Sequence, residues 1–106
     1  SRGLGDVYKR QKITNTCLKE IGKLNQLKVL QLDNTRITDE GLKALGDLQQ
    51  LTHLGLSGTY LTDEGIQHLH NLKNLTSITL GRTNVTLDGV AALKRALPEC
   101  DIHFFR

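Results

Sequence analysis

The sequence predicts an α/β fold: a right-handed solenoid with a short parallel β-sheet on its concave side and short helices on its convex side. The first observation behind this is repetition. Leu27–Gln50, Leu51–Asn74 and Leu75–Pro98 superimpose at a spacing of 24 residues. The matches include Leu30/Leu54/Ile78, Leu32/Leu56/Leu80, Thr35/Thr59/Thr83, Ile37/Leu61/Val85, Thr38/Thr62/Thr86, Gly41/Gly65/Gly89 and Leu45/Leu69/Leu93. A fixed period in this range is the signature of stacked supersecondary units. The second observation is a change of period inside each unit, from two to about three. The third is composition: 38% hydrophobic residues, four aromatics and neither Trp nor Met suit a single file of aliphatic side chains better than a ball.

Taken in order, residues 1–12 (SRGLGDVYKRQK) break the template, because Gly3, Asp6 and Tyr8 stand where the units carry leucine. This leader reads as a truncation or an assembly scar, with a gripping basic arm, or an edge strand through Val7 and Tyr8, as the other options. Residues 13–26 resume the pattern as half a repeat, with Leu18, Ile21 and Leu24 matching Leu42, Leu45 and Leu48. The full repeats 27–50, 51–74 and 75–98 follow. In each, the LxxLxL stretch alternates, so that its leucines face inward and the residues between them face out. Thr38-Asp39-Glu40-Gly41 and Thr62-Asp63-Glu64-Gly65 then read as helix starts, with Thr as N-cap and the acids in the first turn, where the helix dipole favours them. Leu42/Leu45/Leu48 and Ile66/Leu69/Leu72 keep one apolar helix face. The recurring glycine points to helix packing too close for a larger side chain. Thr35, Thr59 and Thr83 are expected to bond the turn backbone of their own and the next repeat. Pro98 stops the last helix, and residues 99–106 form a closing strand in which Ile102 and Phe104 (or Phe105) cover the end of the core.

The order LxxLxLxxTx[IV]T resembles the leucine-rich repeat family across about nine-tenths of the chain. With LxxLxLxxTxITDEGLxxLxxL as its local form, it is most similar to the ribonuclease-inhibitor-like and cysteine-containing classes. It departs from them in its 24-residue period, and in Thr where Asn or Cys is usual. The resemblance implies a right-handed leucine-rich-repeat solenoid and a protein–protein interaction module, belonging to a longer bacterial-type array.

Charge and motifs exclude several other classes. Of the formal charge of +3, all resides in the leader, where Arg2, Lys9, Arg10 and Lys12 face Asp6; residues 13–106 hold ten basic and ten acidic side chains. The repeats therefore lack the clustered Lys/Arg footprint of a nucleic-acid binder. No apolar run reaches the length of a membrane span. Cys17 and Cys100 are three repeats apart, too far for a disulfide, and reduced cysteines lean towards a reducing, cytoplasmic setting. His68 and His70 sit two apart on a helix and point to different faces, so they do not form a metal pair. Gly55-Leu56-Ser57-Gly58 lacks the Lys-Ser/Thr of a phosphate loop. Cys17 has no histidine partner for nucleophilic chemistry. The sequons at Asn74 and Asn84 coincide with repeat positions and read as incidental. No cofactor, metal or catalytic residue is expected.

What remains is the outward wall of the sheet. It holds the columns Val29/His53/Ser77, Gln31/Gly55/Thr79 and Asp33/Ser57/Gly81, with Asn34/Gly58/Arg82 and Arg36/Tyr60/Asn84 on the adjoining loops. These positions vary while the scaffold repeats, which is how repeat proteins build a recognition face. The expected partner-binding residues are Val29, Gln31, Asp33, Arg36, His53, Ser57, Tyr60, Ser77, Thr79 and Arg82. Tyr60, Arg36 and Arg82 stand out because interface hot spots favour Tyr and Arg. Edge-to-edge self-association as a structural spacer, or a regulatory role within a larger enzyme, are the alternatives.

Overall fold

A computed structural model describes residues 14–105. The leader 1–12, Ile13 and Arg106 lie outside the described residues, and with them the expectations placed on the leader. The elements in chain order are α1 (Asn15–Ile21), β1 (Val29–Gln31), α2 (Asp39–Leu42) continuing into a 3-10 helix (Lys43–Asp47), β2 (His53–Gly55), α3 (Asp63–Ile66) with a 3-10 turn (Gln67–Leu69), β3 (Ser77–Thr79), α4 (Leu87–Ala96) and β4 (Asp101–His103).

The four strands form one parallel sheet in the order β1-β2-β3-β4. Its register is the 24-residue period itself: Leu30 pairs with Leu54, Leu54 with Ile78, and Ile78 with Ile102. Each strand passes to its parallel neighbour through a helical segment, a crossover that twisted strands make right-handed. The result is a leucine-rich-repeat solenoid. Equivalent aliphatic residues stack in files between sheet and helices. Leu30/Leu54/Ile78, Leu32/Leu56/Leu80, Ile37/Leu61/Val85 and Ile21/Leu45/Leu69/Leu93 are all essentially inaccessible to solvent. Each such side chain contributes about 1.5–3 kcal/mol on burial, and the files run from one rung to the next without a break.

The helical side differs from the sequence expectation in two ways. First, the leucines three apart mark 3-10 winding rather than a continued α-helix. Three residues per turn eclipse positions i and i+3, so Leu42, Leu45 and Leu48 line up on the core side. In the last unit the apolar spacing is Val90, Leu93, Leu97, a 3.6-residue rhythm, and α4 is α-helical for ten residues. Leu97 N–H donates to Leu93 O (2.8 Å) and Cys100 N–H to Leu97 O (3.1 Å), whereas Leu75 N–H donates to Leu72 O (3.1 Å). Leu97 and Cys100 thus take the places of Leu72 and Leu75 one residue late. The extra residue has a geometric reason. Ten α-helical residues span about 15 Å, close to the ~16 Å of four α-helical plus five 3-10 residues, so the α-helical unit uses more chain for the same distance.

Second, Asp39 and Asp63 do not simply complement their helix dipoles. Asp39 reaches to the next rung, where its carboxylate accepts the Thr62 N–H (2.8 Å) and the Thr62 hydroxyl. Asp63 does the same for Thr86, with the N–H at 2.8 Å. One rung earlier, Asn15 Oδ1 accepts the Thr38 N–H (3.1 Å) while its Nδ2 donates to Thr38 Oγ1 (2.7 Å). Thr38 and Thr62 occupy N-cap positions but make no side-chain cap bond; Thr86 alone of the three accepts from its helix, at Gly89 N (3.3 Å). The glycine of the repeat follows from this bracket. A Cβ on Gly41, Gly65 or Gly89 would collide with the side chain of Asn15, Asp39 or Asp63 respectively. The close approach inferred from sequence is therefore between a glycine and a bracket side chain of the preceding rung.

Thr35, Thr59 and Thr83 donate to Leu32 O (2.7 Å), Leu56 O (2.6 Å) and Leu80 O (2.9 Å), all within their own repeat, with no bond to the next. Cys17 and Cys100 are free thiols, half-buried and buried. No helix among the described residues is long and apolar enough to cross a membrane.

Candidate functional site

The concave wall is built on main-chain pairing, and its side chains divide into those the wall consumes and those it offers. Asp33 and Ser57 belong largely to the first group. Asp33 Oδ1 accepts the Ser57 N–H (2.8 Å) and the Thr79 hydroxyl (3.4 Å), linking three rungs. Ser57 is buried, and its Oγ accepts the Gly81 N–H (3.0 Å). Its inclusion among surface contact residues is corrected on this ground: an outward column position close to the turn is roofed by its neighbours. Gly55 is also buried, with Gln31 Oε1 and the Asp33 carboxylate over the place a Cβ would occupy. Gly81 lies under the ring of Phe105.

The remaining positions of the wall fall into two files and a rim, with Gly55 the covered member of the second file. The register places Val29, His53, Ser77 and Asp101 side by side, and beside them Gln31, Gly55, Thr79 and His103. Neighbours in each file are about 4.8 Å apart. Val29 is half exposed (51%), His53 and Gln31 are exposed, and Ser77 and Thr79 are half-buried. Thr52 Oγ1 lies 2.9 Å from His53 Nδ1 and anchors the ring. Asp101, His103 and Phe105 were absent from the sequence-based site because β4 reads as a closing strand. Their signal was available: adding the 24-residue period to Ser77, Thr79 and Gly81 lands on these three. In the structure β4 and the residues after it do both jobs, since Ile102 and Phe104 pack against the core while Asp101, His103 and Phe105, alternating with them, join the wall.

The rim carries Arg36, Tyr60 and Arg82, all exposed, with Tyr60 at 60%. Tyr60 is fixed by a parallel bridge to Thr38, its N–H donating to Ile37 O (3.2 Å). Arg82 has a less comfortable position. The turn after each strand requires a left-handed residue, and the slot is filled by Asn34 (φ 62°), Gly58 (φ 72°) and Arg82 (φ 56°). Gly has no Cβ penalty there and Asn tolerates the region, whereas other L-residues meet a cost of about 1–2 kcal/mol. The backbone reason for the turn is the same each time: the slot N–H donates one rung on, to Ser57 O, Gly81 O and Phe105 O at 2.7, 2.8 and 2.9 Å.

Charges are distributed unevenly between the two sides. Among the described residues the ion pairs are Lys23–Glu20 (3.4 Å) and Lys43–Glu40 (3.1 Å), both on the helical side. No carboxylate among the described residues lies within 4 Å of the Arg36 or Arg82 guanidinium. His70, also on the helical side, has a buried Nε2 without a hydrogen-bond partner. Burial, and then the Lys73 ammonium, hold it below the ordinary histidine value. Burial raises the Cys100 thiol above its usual value, against the pull of Lys94.

Residues 23–46 match the family described as "Leucine Rich repeat". Among solved structures, the fold is similar to Leiomodin-1 Actin-Binding Site 2, with a TM-score of 0.67 and 20% identity over 87% of this chain and 64% of that one. It is also similar to an internalin from Listeria monocytogenes, with a TM-score of 0.55 and 23% identity over 87% of this chain and 32% of that one. The chain thus spans less than two thirds of the length of either. No curated protein sequence matches it. A matched leucine-rich repeat at residues 23–46, its recurrence every 24 residues, and a shared fold along most of the length together give this chain the leucine-rich-repeat fold.

Proposed function

We propose that the chain is a non-catalytic interaction module that recognises a protein partner through the concave sheet and the loops at its rim. The observation that carries this is the division of labour along each rung. Inward positions repeat the same aliphatic residues, while the aligned outward positions change from Val29 to His53 to Ser77 to Asp101. A wall with fixed spacing and variable chemistry suits recognition. That one structural relative is named for an actin-binding site supports protein recognition as a role of this fold.

The test is capture of protein from extract by the immobilised chain, repeated with two sets of substitutions. His53→Ala/Tyr60→Ala/Arg82→Ala alters the concave side; Lys43→Ala/Gln67→Ala alters the convex side. Loss of capture by the first set alone, with an unchanged melting temperature, is the expected result. Loss by the convex set alone contradicts the proposal.

A second reading rests on β4. Among the described residues β4 pairs with β3 and with nothing on its other edge, and an open edge can pair with another chain. Sedimentation at increasing concentration separates the readings: self-association through this edge gives a dimer that Phe104→Pro abolishes, since residues 101 and 103 direct their backbone groups at β3 and the residues alternating with them face the open edge.

A further inference from the structure

Resting on the second reading, in which the free β4 edge pairs with another chain, we propose that its occupant is a second copy of this chain. The two copies join antiparallel about a two-fold axis at Ile102, with Asp101 of each against His103 of the other. The first observation is that the last rung lacks what earlier rungs use to hold a parallel successor. Asp39 and Asp63 reach forward to Thr62 and Thr86; one period later the position holds Leu87, 68% exposed. Lys28 O accepts the N–H groups of both Thr52 and His53, and Thr52 O those of Thr76 and Ser77. Cys100 O, at the matching register position, already accepts Lys94 Nζ at 2.8 Å. A copy stacked head to tail as a further parallel rung therefore finds neither a bracket carboxylate nor a carbonyl free to accept twice.

The second is that the groups left open are self-complementary. Asp101 and His103 direct their backbone groups at β3, and Ile102 and Phe104 turn theirs to the free edge. Antiparallel strands exchange both hydrogen bonds of a directly opposed pair. With the axis at Ile102, its N–H in each copy donates to the Ile102 carbonyl of the other. Phe104 N–H then faces the Cys100 carbonyl of the second copy, which has one acceptor site left beside Lys94. The Phe105 ring leans back over Gly81, towards β3 rather than across the edge.

The third is charge, which selects the register. Asp101 and His103 are both exposed on the concave side of β4. With the axis at Ile102 each carboxylate lies directly opposite an imidazole, twice over, and complementary cross-strand pairs favour association. An axis at His103 sets imidazole against imidazole and leaves Asp101 opposite Phe105, without a basic partner. On the core side Ile102, only partly covered in the single chain, meets its own counterpart, and exposed Leu87 adds to the apolar end. The two concave walls then continue as one, four strands from each copy. A contact of this isologous kind closes as a dimer instead of growing into a filament.

The experiment is sedimentation of the full chain over a concentration series at low salt, with charge exchange across the joint. The native chain is expected to shift from monomer to dimer as concentration rises. Asp101→Lys sets an ammonium against the imidazole in both pairs, and His103→Glu sets carboxylate against carboxylate. Each weakens the dimer by about fivefold or more. Mixed in equal amounts, the two variants regain a dimer. The introduced ammonium then meets the introduced carboxylate, while the native Asp101 of one chain meets the native His103 of the other. Restoration on mixing is a result that a merely structural role for either residue does not produce. The double variant Asp101→Lys/His103→Glu, expected to dimerise with itself, keeps the test available if a single variant fails to fold.

A mixture no heavier than its separate components, or a dimer indifferent to both exchanges, overturns the proposal. If Phe104→Pro still abolishes such an indifferent dimer, the open-edge reading survives and only the two-fold register at Ile102 falls. A native chain that stays monomeric at every concentration overturns both.

Discussion

Replacing Asp39 tests how one rung is held to the next. Its carboxylate accepts the Thr62 N–H at 2.8 Å and the Thr62 hydroxyl, in a half-buried site. Hydrogen bonds to a charged group contribute about 1.5–3 kcal/mol each. Two sharing one carboxylate, partly open to water, are not additive, so Asp39→Ala is expected to cost about 2–3 kcal/mol. Against a total stability on the order of 5–15 kcal/mol for a domain of this size, that is a large fraction. At about 4–8 °C per kcal/mol, the melting temperature falls by roughly 8–24 °C. Asp39→Asn separates this bracket from a helix-dipole effect. The structure already contains the amide version, since Asn15 holds Thr38 with the hydroxyl turned to accept instead of donate. Asp39→Asn therefore costs under about 1 kcal/mol although it removes the charge. Thermal and urea unfolding followed by far-UV circular dichroism provide both numbers. The reasoning is refuted if Asn is as damaging as Ala, which assigns the effect to charge at the helix start, or if Ala is neutral.

Other expected outcomes follow from the same contacts. Gly65→Ala destabilises the fold even though Ala gains up to about 1 kcal/mol of helix propensity, because the new Cβ meets the Asp39 carboxylate; a double-mutant cycle with Asp39→Ala should show coupling. Burial and Lys73 keep the folded-state value of His70 below 6.5. The folded state therefore binds fewer protons than the unfolded state, and stability present above pH 6.5 declines as the pH falls through the folded value. His70→Gln should flatten that part of the stability profile in pH-dependent unfolding. Cys100 has the opposite sign: its raised value gives stability that is present below the unfolded value and lost as the pH rises above about 9.0. Thiol labelling at neutral pH should modify half-buried Cys17 first and reach Cys100 only on unfolding. Truncation after Leu93 removes Leu97, Cys100 and β4, and should abolish the cooperative melt; a retained helical signal and sharp transition count against that.

The register and the aliphatic files were legible because a parallel stack translates sequence period directly into spatial neighbours. Leu30, Leu54 and Ile78 needed only to be counted. Helix type was legible in principle, in the contrast between Leu42/Leu45/Leu48 and Val90/Leu93/Leu97, but both spacings fit a generic amphipathic helix. The bracket was not recovered because an Asp after a helix-starting Thr looks the same whether it serves its own dipole or the next rung. The clue lay across repeats, where Asn15, Asp39 and Asp63 each precede by 26 residues a glycine that makes room for them. At the recognition face, alternation separated inside from outside on the strands, but not beyond them. Past the last strand residue the chain turns, so Ser57 and Gly81 become covered, while Phe105 folds over the wall. The strain at Arg82 was invisible in sequence, since it depends on a φ angle that only the turn dictates.

Backbone amide chemical shifts of the full chain, followed during titration with a binder selected on it, test most directly whether the variable wall is the working surface. The account predicts perturbations at His53, Thr79 and His103 on the strands and at Arg36, Tyr60 and Arg82 on the rim, with Lys43, Gln67 and Ala91 on the helical side unmoved. Shifts gathered on those helical residues, with the strand and rim signals unchanged, contradict it.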